Sequence, residues 1–316
     1  MASMLRFRRL VSIALVVTLL LPSTMVTACP FCSAVSQTFA EEMNSMDVVV
    51  VAKMKKFSQK KEGQSYADLP ASEFEVIEMM KGEQWAKVGQ TIKIHYFGKN
   101  DLPYYLIMGT DTPDTVWTSP LSLDQRALDY IKQVVELPKG PERLKFFLEH
   151  LEDKDEMLAR DAYDEFARAP YESVIALKPS MKRETILEWV KDVKNVSPSR
   201  RRLYLTLLGV CGKPEDADLL EKFMRSPKRE DKQGLDAMVA CYLTLKGEKG
   251  MPTIKELFLS NPKSEYQDTY SSIMAMRFHG SETEVIPKEK LLEGFRCILE
   301  REELADLLPP CQIRYD

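Results

Sequence analysis

The sequence predicts a multidomain α+β protein, in which a small N-terminal β-barrel is followed by an all-α helical array. Three observations support this fold class. The 316 residues are 44% hydrophobic and 29% charged, which is typical of a globular chain long enough for two domains. Short apolar segments separated by turn residues dominate the first half of the chain. Beyond residue 140, apolar residues recur with helical spacing, and strand patterns are absent.

Residues 1–28 have the pattern of a secretory signal peptide. Three arginines precede an apolar run at 10–21, and small residues precede Cys29. The run has 12 residues, fewer than the roughly 20 that a membrane-spanning helix needs. We therefore expect an exported protein that is periplasmic, extracellular or lipid-anchored at the cell envelope. The residues before Cys29 also fit a bacterial lipobox, so lipidation and simple cleavage remain alternatives.

Between residues 29 and 138 the sequence predicts a β-rich domain. The strands are expected, in chain order, at Asp47–Lys53, Phe74–Met80, Thr91–Tyr96 and Tyr104–Met108. The first is a β-branched run suited to a buried strand, and the third alternates as a half-exposed strand does. Lys81 and Gly82 signal a turn, and 124–135 fits an amphipathic helix. Several short strands of this kind indicate a small barrel or sandwich.

The order of these segments resembles the netrin-like OB-fold module of tissue inhibitors of metalloproteinases. The matching segments are an N-terminal Cys29, DVVVVAK at 47–53, FEVIEMMKG at 74–82, IKI at 92–94, YLIMG at 105–109 and PLS at 120–122. The resemblance covers about 110 residues and implies a small OB-type barrel. OB-folds bind ligands on one face, for which Tyr96, Tyr104 and Tyr105 are candidates, although aromatic strand residues usually serve packing.

The resemblance also implies a role for the first residue of the mature chain. In the inhibitors, the amine and carbonyl groups of the terminal cysteine chelate the protease zinc, and this role would fall on Cys29. The sequence departs from the Cys-x-Cys motif of that family, because Pro30 and Phe31 separate Cys29 from Cys32. A lipidated Cys29 would also lose its free amine.

Residues 140–316 are predicted to form a series of helices divided by proline and glycine. We expect helices at 142–151, 153–169, 181–193, 199–209, 214–225, 232–246, 252–260, 266–278 and 287–306. The segment LTLLG at 205–209 recurs as LTLKG at 243–247, which is 38 residues further along. A period of this length with two helices per repeat resembles HEAT-type repeats and implies stacked helix pairs. A bundle of unrelated helix hairpins is the alternative.

Six cysteines lie beyond the predicted signal peptide, at Cys29, Cys32, Cys211, Cys241, Cys297 and Cys311. An even number in an exported chain suggests disulfides. Proximity favours a bond between Cys29 and Cys32, provided that Cys29 is not lipidated. The other four are candidate disulfide residues, and for Cys211, Cys241 and Cys297 buried free thiols are an equal alternative.

The segment Cys29-Pro30-Phe31-Cys32 also resembles a thioredoxin-type CxxC motif. A redox motif of this kind should follow a core strand, whereas here a signal peptide precedes it. A helix over 33–44 would lower the pKa of a nearby thiol through its N-terminus. A thiol–disulfide redox protein is therefore one alternative function, and a metalloprotease-inhibitor-like module using Cys29 is another.

No catalytic, cofactor or metal motif is evident in the sequence. Its three histidines, His95, His150 and His279, are far apart, and HExxH, GxSxG, GxGxxG and P-loop patterns are missing. The net charge of −4 argues against nucleic acid as a partner. We therefore expect a non-catalytic protein without cofactor, which binds another protein or a cell-envelope component through the concave face of the array. It would meet the membrane only through an N-terminal lipid anchor.

Overall fold

The computed structural model describes residues 31–34, 36–58, 65 and 70–301. The predicted signal peptide at 1–28 lies outside these residues, as do Cys29 and Cys311. The described chain is α+β, and its strands all precede residue 124, with helices following. The predicted order of a β-rich part and then a helical part is confirmed.

Six strands form one antiparallel sheet that nearly closes on itself. They are β1 (Val48–Lys56), β2 (Ser72–Lys81), β3 (Thr91–Ile94), β4 (Tyr104–Thr110), β5 (Val116–Trp117) and β6 (Leu121–Leu123). The strand order is β3-β2-β1-β4-β5, and β6 also pairs with β4. β1 is central because its apolar run, Val48–Ala52, is buried on both faces. Register shifts between Val49 and Val50 and between Val51 and Ala52 add the local twist that helps the sheet to curl.

Each predicted strand is present, and the structure corrects the bounds of all four. β3, for example, ends at Ile94 and not at Tyr96. β1 continues to Lys56, three residues beyond the predicted strand end at Lys53. Gly109 lies inside β4 instead of ending it, because it pairs with Val48 on one side and Trp117 on the other. A Cβ at Gly109 would lie 2.5 Å from the Thr115 side chain, so this close pairing requires glycine.

The inner face of the sheet holds an aromatic core. Phe74 packs edge-to-face on Tyr105 and Tyr96, with ring centroids 5.1 and 5.8 Å apart. Tyr105 is completely buried and Tyr96 is 5% exposed. Both are therefore packing residues and not an open ligand face. Tyr104 is partly exposed, and the Lys53 ammonium lies 5.6 Å from its ring centre.

The described helices are α1 (Phe39–Ser45), α2 (Gln125–Glu136), α3 (Pro141–Leu148), α4 (Glu156–Arg168), α5 (Tyr171–Ala176), α6 (Arg183–Lys191), α7 (Pro198–Cys211), α8 (Ala217–Arg225), α9 (Leu235–Lys246), α10 (Met251–Ile254), α11 (Tyr266–Ser281) and α12 (Lys288–Leu299). α10 continues as a π-helix over Lys255–Leu259. Each of the nine helical segments predicted beyond residue 140 overlaps one of these helices. α5 was not expected, because Pro170 reads as a break, whereas it caps the start of this short helix.

α7, α9 and α11 stack side by side, and α7 and α9 are enclosed on every side. Leu203–Leu208 and Ala237–Leu243 are buried without a gap, which is typical of helices that are packed on all sides.

Part of the packing around these helices comes from the chain's own N-terminal segment. The Phe31 ring lies 5.1 Å from that of Phe278 on α11, and the Tyr171 ring lies 5.1 Å from it on another side. One apolar cluster therefore runs unbroken from the outer face of the sheet into the helices.

Candidate functional site

Three cysteines of the helical region lie within the described residues, and all three are free thiols. Cys211, Cys241 and Cys297 lie in α7, α9 and α12, respectively. Burial raises the pKa of Cys211 to about 11 and that of Cys241 well above its ordinary value, so both thiols stay protonated. In the structure these three residues are free thiols, which is the state that the buried-thiol alternative describes.

Cys32 is disulfide-bonded. Its predicted pairing with Cys29 involves a residue outside the described ranges and stays a prediction. The expected helix over 33–44 begins only at Phe39, because Thr38 caps it in a reciprocal capping box with Glu41. Cys32 is therefore not held at a helix N-terminus, which removes one source of thiolate stabilisation.

Carboxylates of α4 hold the segment that follows Cys32. Asp164 accepts hydrogen bonds from the Ser36 hydroxyl at 2.9 Å and the Ser36 N–H at 3.3 Å. Asp161 accepts from the Phe39 N–H at 2.7 Å and from the Tyr130 hydroxyl at 2.8 Å. Burial raises the pKa of Asp161 to about 6, although both hydrogen bonds favour its charged form. These bonds join the N-terminal segment to the helical half.

A first cleft of about 310 Å³ lies beside these bonds, between α1 and the helices α3 to α5. Four of its five charged side chains pair with one another, and Lys139 has no ion pair with a described residue. Arg143 donates two hydrogen bonds to Glu165, at 2.8 and 2.9 Å, and Arg168 lies 2.9 Å from Glu41. Because these groups satisfy each other, the cleft offers a ligand little unpaired charge.

A second cleft, of about 600 Å³, lies between α11 and α12. His279 is its buried polar group, with Nε2 lying 3.0 Å from the Ala240 carbonyl and Nδ1 3.0 Å from the Thr283 hydroxyl. Burial lowers the pKa of His279 to about 4, so the ring is neutral near pH 7. Both ring nitrogens are occupied, and the histidine is a packing residue here.

The third opening, of about 670 Å³, lies between α3 and the start of α6, and we call it the α3/α6 groove. Its lining residues are Lys145, Leu148, Glu149, Pro179, Ser180, Lys182, Thr185, Ile186 and Trp189. Lys145 and Lys182 are exposed and make no ion pair with any described residue. Trp189 is partly buried, with its ring 4.8 Å from that of Tyr204. This groove combines a fixed aromatic side chain with unpaired cations, and it is the candidate functional site.

The groove was not predicted from the sequence, because its residues come from two helices that carry no motif.

Among the residues that the structure describes, no group of three or more His, Cys, Asp or Glu side chains is placed to hold a metal ion. None of the helices in the same ranges has both the length and the apolarity needed to cross a bilayer. Comparison with known protein families, curated proteins and solved structures finds no match to this chain.

Proposed function

We propose that this chain is an exported, non-catalytic binding protein, built from a netrin-like OB-type barrel and a HEAT-like helical array. It would hold another protein or a cell-envelope component. Support for the barrel comes from β1, which lies between β2 and β4 in a nearly closed sheet, as a small, partly open barrel requires. The barrel's interior is filled by its own aromatic core, so binding is assigned to the helical half.

Support for the array comes from similar ion pairs that join successive helix pairs. Arg183 pairs with Asp216, Arg202 with Asp236, and Arg229 with Asp268. The partners are 33, 34 and 39 residues apart in the chain, which is close to the 38-residue spacing of the repeated LTL segments. A recurring contact at nearly constant spacing is typical of stacked repeats that bind only their neighbours.

The α3/α6 groove is the observation that carries the function. Phe31 and Tyr171 pack against α11 at Phe278, and we assign the binding surface to the open α3/α6 groove. Its lining combines the apolar side chains of Leu148, Ile186 and Trp189 with polar and charged ones, and apolar surface together with convergent polar groups is the usual composition of a binding site. The redox and inhibitor alternatives depend on Cys29, which lies outside the described residues, and they remain predictions.

The proposal can be tested with the processed chain and fractions of the cell that produces it. Site-specific photo-crosslinkers at Thr185 in the groove and at Val88 on the exposed surface of the barrel would be compared. We expect saturable crosslinking of one envelope or exported protein from Thr185 and none from Val88. Absence of saturable crosslinking at both positions would overturn the proposal, as would a catalytic turnover that one substitution abolishes.

A further inference from the structure

We propose that the α3/α6 groove binds an extended acidic segment of a partner protein, which places an apolar side chain on Trp189. This inference rests on the proposed function, because it names the chemistry of the partner at that site. It is carried by three features of the groove: a rigid apolar floor, lysines on both sides of it, and a length that suits a short extended peptide.

The floor of the groove is fixed before any partner arrives. Leu148 and Ile186 line it together with Trp189, whose indole ring packs against the ring of Tyr204. Tyr204 is completely buried, and its hydroxyl donates to the Leu151 carbonyl at 3.3 Å and to the Glu152 carboxylate. The indole ring of Trp189 therefore packs against a side chain whose position is fixed by burial and hydrogen bonding. Rigid aromatic anchors of this kind supply most of the affinity at interfaces, because little side-chain entropy remains to be lost.

The lysines flank this floor from both helices. Lys145 lies on α3, and Lys182 is the residue directly before α6. Neither has a carboxylate partner among the described residues, whereas the neighbouring Arg143 and Arg183 are both paired with acids. Glu149 is the one acidic side chain in the lining. The groove is thus locally positive on a chain whose net charge is −4, which is complementary to an acidic segment.

The dimensions of the groove favour a peptide over a larger charged surface. Its α6 side runs from Lys182 to Trp189, about 10 Å at the helical rise of 1.5 Å per residue. An extended peptide covers that distance with about three residues, at about 3.3 Å each. One carboxylate near Lys182 and one apolar side chain at Trp189 would therefore fit on a single short strand. Anionic membranes are attracted by larger basic clusters than these two lysines.

The experiment selects twelve-residue random peptides on the full processed chain by phage display. The enriched peptide is then labelled with fluorescein, and its dissociation constant is measured by fluorescence anisotropy. The variants are Trp189→Ala and the double variant Lys145→Glu/Lys182→Glu. The matched control is Lys228→Glu/Lys249→Glu, which makes the same charge change at two exposed lysines outside the groove.

We expect the enriched peptides to share an acidic residue close to a large apolar one. Trp189→Ala should weaken binding by about 30-fold, a typical loss for an interface anchor. The double groove variant should weaken it by about tenfold, and the control should leave it unchanged. The double groove variant alters only exposed side chains, so it tests the role of the lysines even if the Trp189→Ala protein is unfolded. Thermal melting would show whether each variant is folded.

Three results would overturn the inference. They are no enrichment, enrichment of peptides without acidic residues, and equal affinity of the wild type and the double groove variant. Phosphatidylglycerol vesicles form a separate arm: binding to vesicles but not to the peptides would also overturn it, in favour of a membrane. Photo-crosslinking of a native partner that persists in the double groove variant would overturn this inference and leave the proposed function intact.

Discussion

Replacing Asp161 with asparagine should remove a large part of the pH dependence of this protein's stability. Asp161 is 6% exposed and accepts hydrogen bonds from the Phe39 N–H and the Tyr130 hydroxyl. Burial raises its pKa from 3.8 to about 6, and the nearby Glu165 carboxylate acts in the same direction. Asparagine has nearly the same shape and no charge, so the substitution removes the titration from the junction of the N-terminal segment and α4.

The size of the effect follows from the difference between the native and unfolded pKa values. A difference of about 2 pKa units corresponds to about 3 kcal/mol in the free energy of unfolding. The native pKa is the higher one, so the folded state holds the proton more tightly than the unfolded chain. The stabilisation from the protonated carboxyl is therefore complete below about pH 4 and is lost as the pH rises through 6.

Urea unfolding at several pH values between pH 4 and pH 8 measures this pH-dependent contribution to the free energy of unfolding. The free energy of unfolding of the wild type minus that of Asp161→Asn should fall by about 3 kcal/mol between pH 4 and pH 7. Asp114→Asn, at an exposed carboxylate of the barrel, serves as the control and should show no comparable fall. A difference that stays constant, or that grows with pH, would refute the reasoning about Asp161.

Three further predictions concern buried side chains in or against the helical half. Arg201→Met should lower the free energy of unfolding by about 4 kcal/mol in urea titrations. The reason is that the buried guanidinium donates to four backbone carbonyls, those of Val190, Glu230, Asp231 and Gln233. An unchanged urea midpoint of unfolding would contradict this prediction. Cys241 should resist iodoacetamide at pH 8 in the native protein and react after unfolding, because burial raises the pKa of its thiol. Mass spectrometry of the alkylated protein measures the reaction. A peptide containing a Cys211–Cys241 disulfide would contradict this prediction. Phe31→Ala should cost about 3 kcal/mol by thermal unfolding, because its ring fills a site against Phe278. The exposed Phe97→Ala should cost much less, and equal losses would disprove this packing role.

Local patterns in the sequence were sufficient for most of the secondary structure. The β-branched run at 48–52 became the central strand, because such side chains pack well on a sheet buried on both faces. Asp124 is the first residue of the predicted helix, and in the structure it is the N-cap, accepting from the Ala127 N–H at 2.7 Å. One error fell where a distant partner sets the boundary. Gly109 reads as a strand end, but pairing with Val48 and Trp117 keeps it inside β4.

The candidate site shows why sequence reasoning stopped short of it. Lys145 and Trp189 lie on different helices, and neither helix carries a pattern that selects the other as its neighbour. Trp189 has the spacing of any amphipathic helix residue, and its support by Tyr204 depends on how α6 packs on α7. Hydrophobic periodicity shows which face of a helix is buried, but it does not identify the element that covers that face.

The sequence by itself therefore determined the order of strands and helices, the repeated LTL segments and the buried faces, because spacing along one element encodes them. Only the tertiary structure decided that Phe31 covers α11 at Phe278, that three cysteines of the helical region are free thiols, and that a lysine-flanked groove lies open between α3 and α6. These features depend on contacts between residues far apart in the chain, which the packing of whole elements sets and local spacing does not.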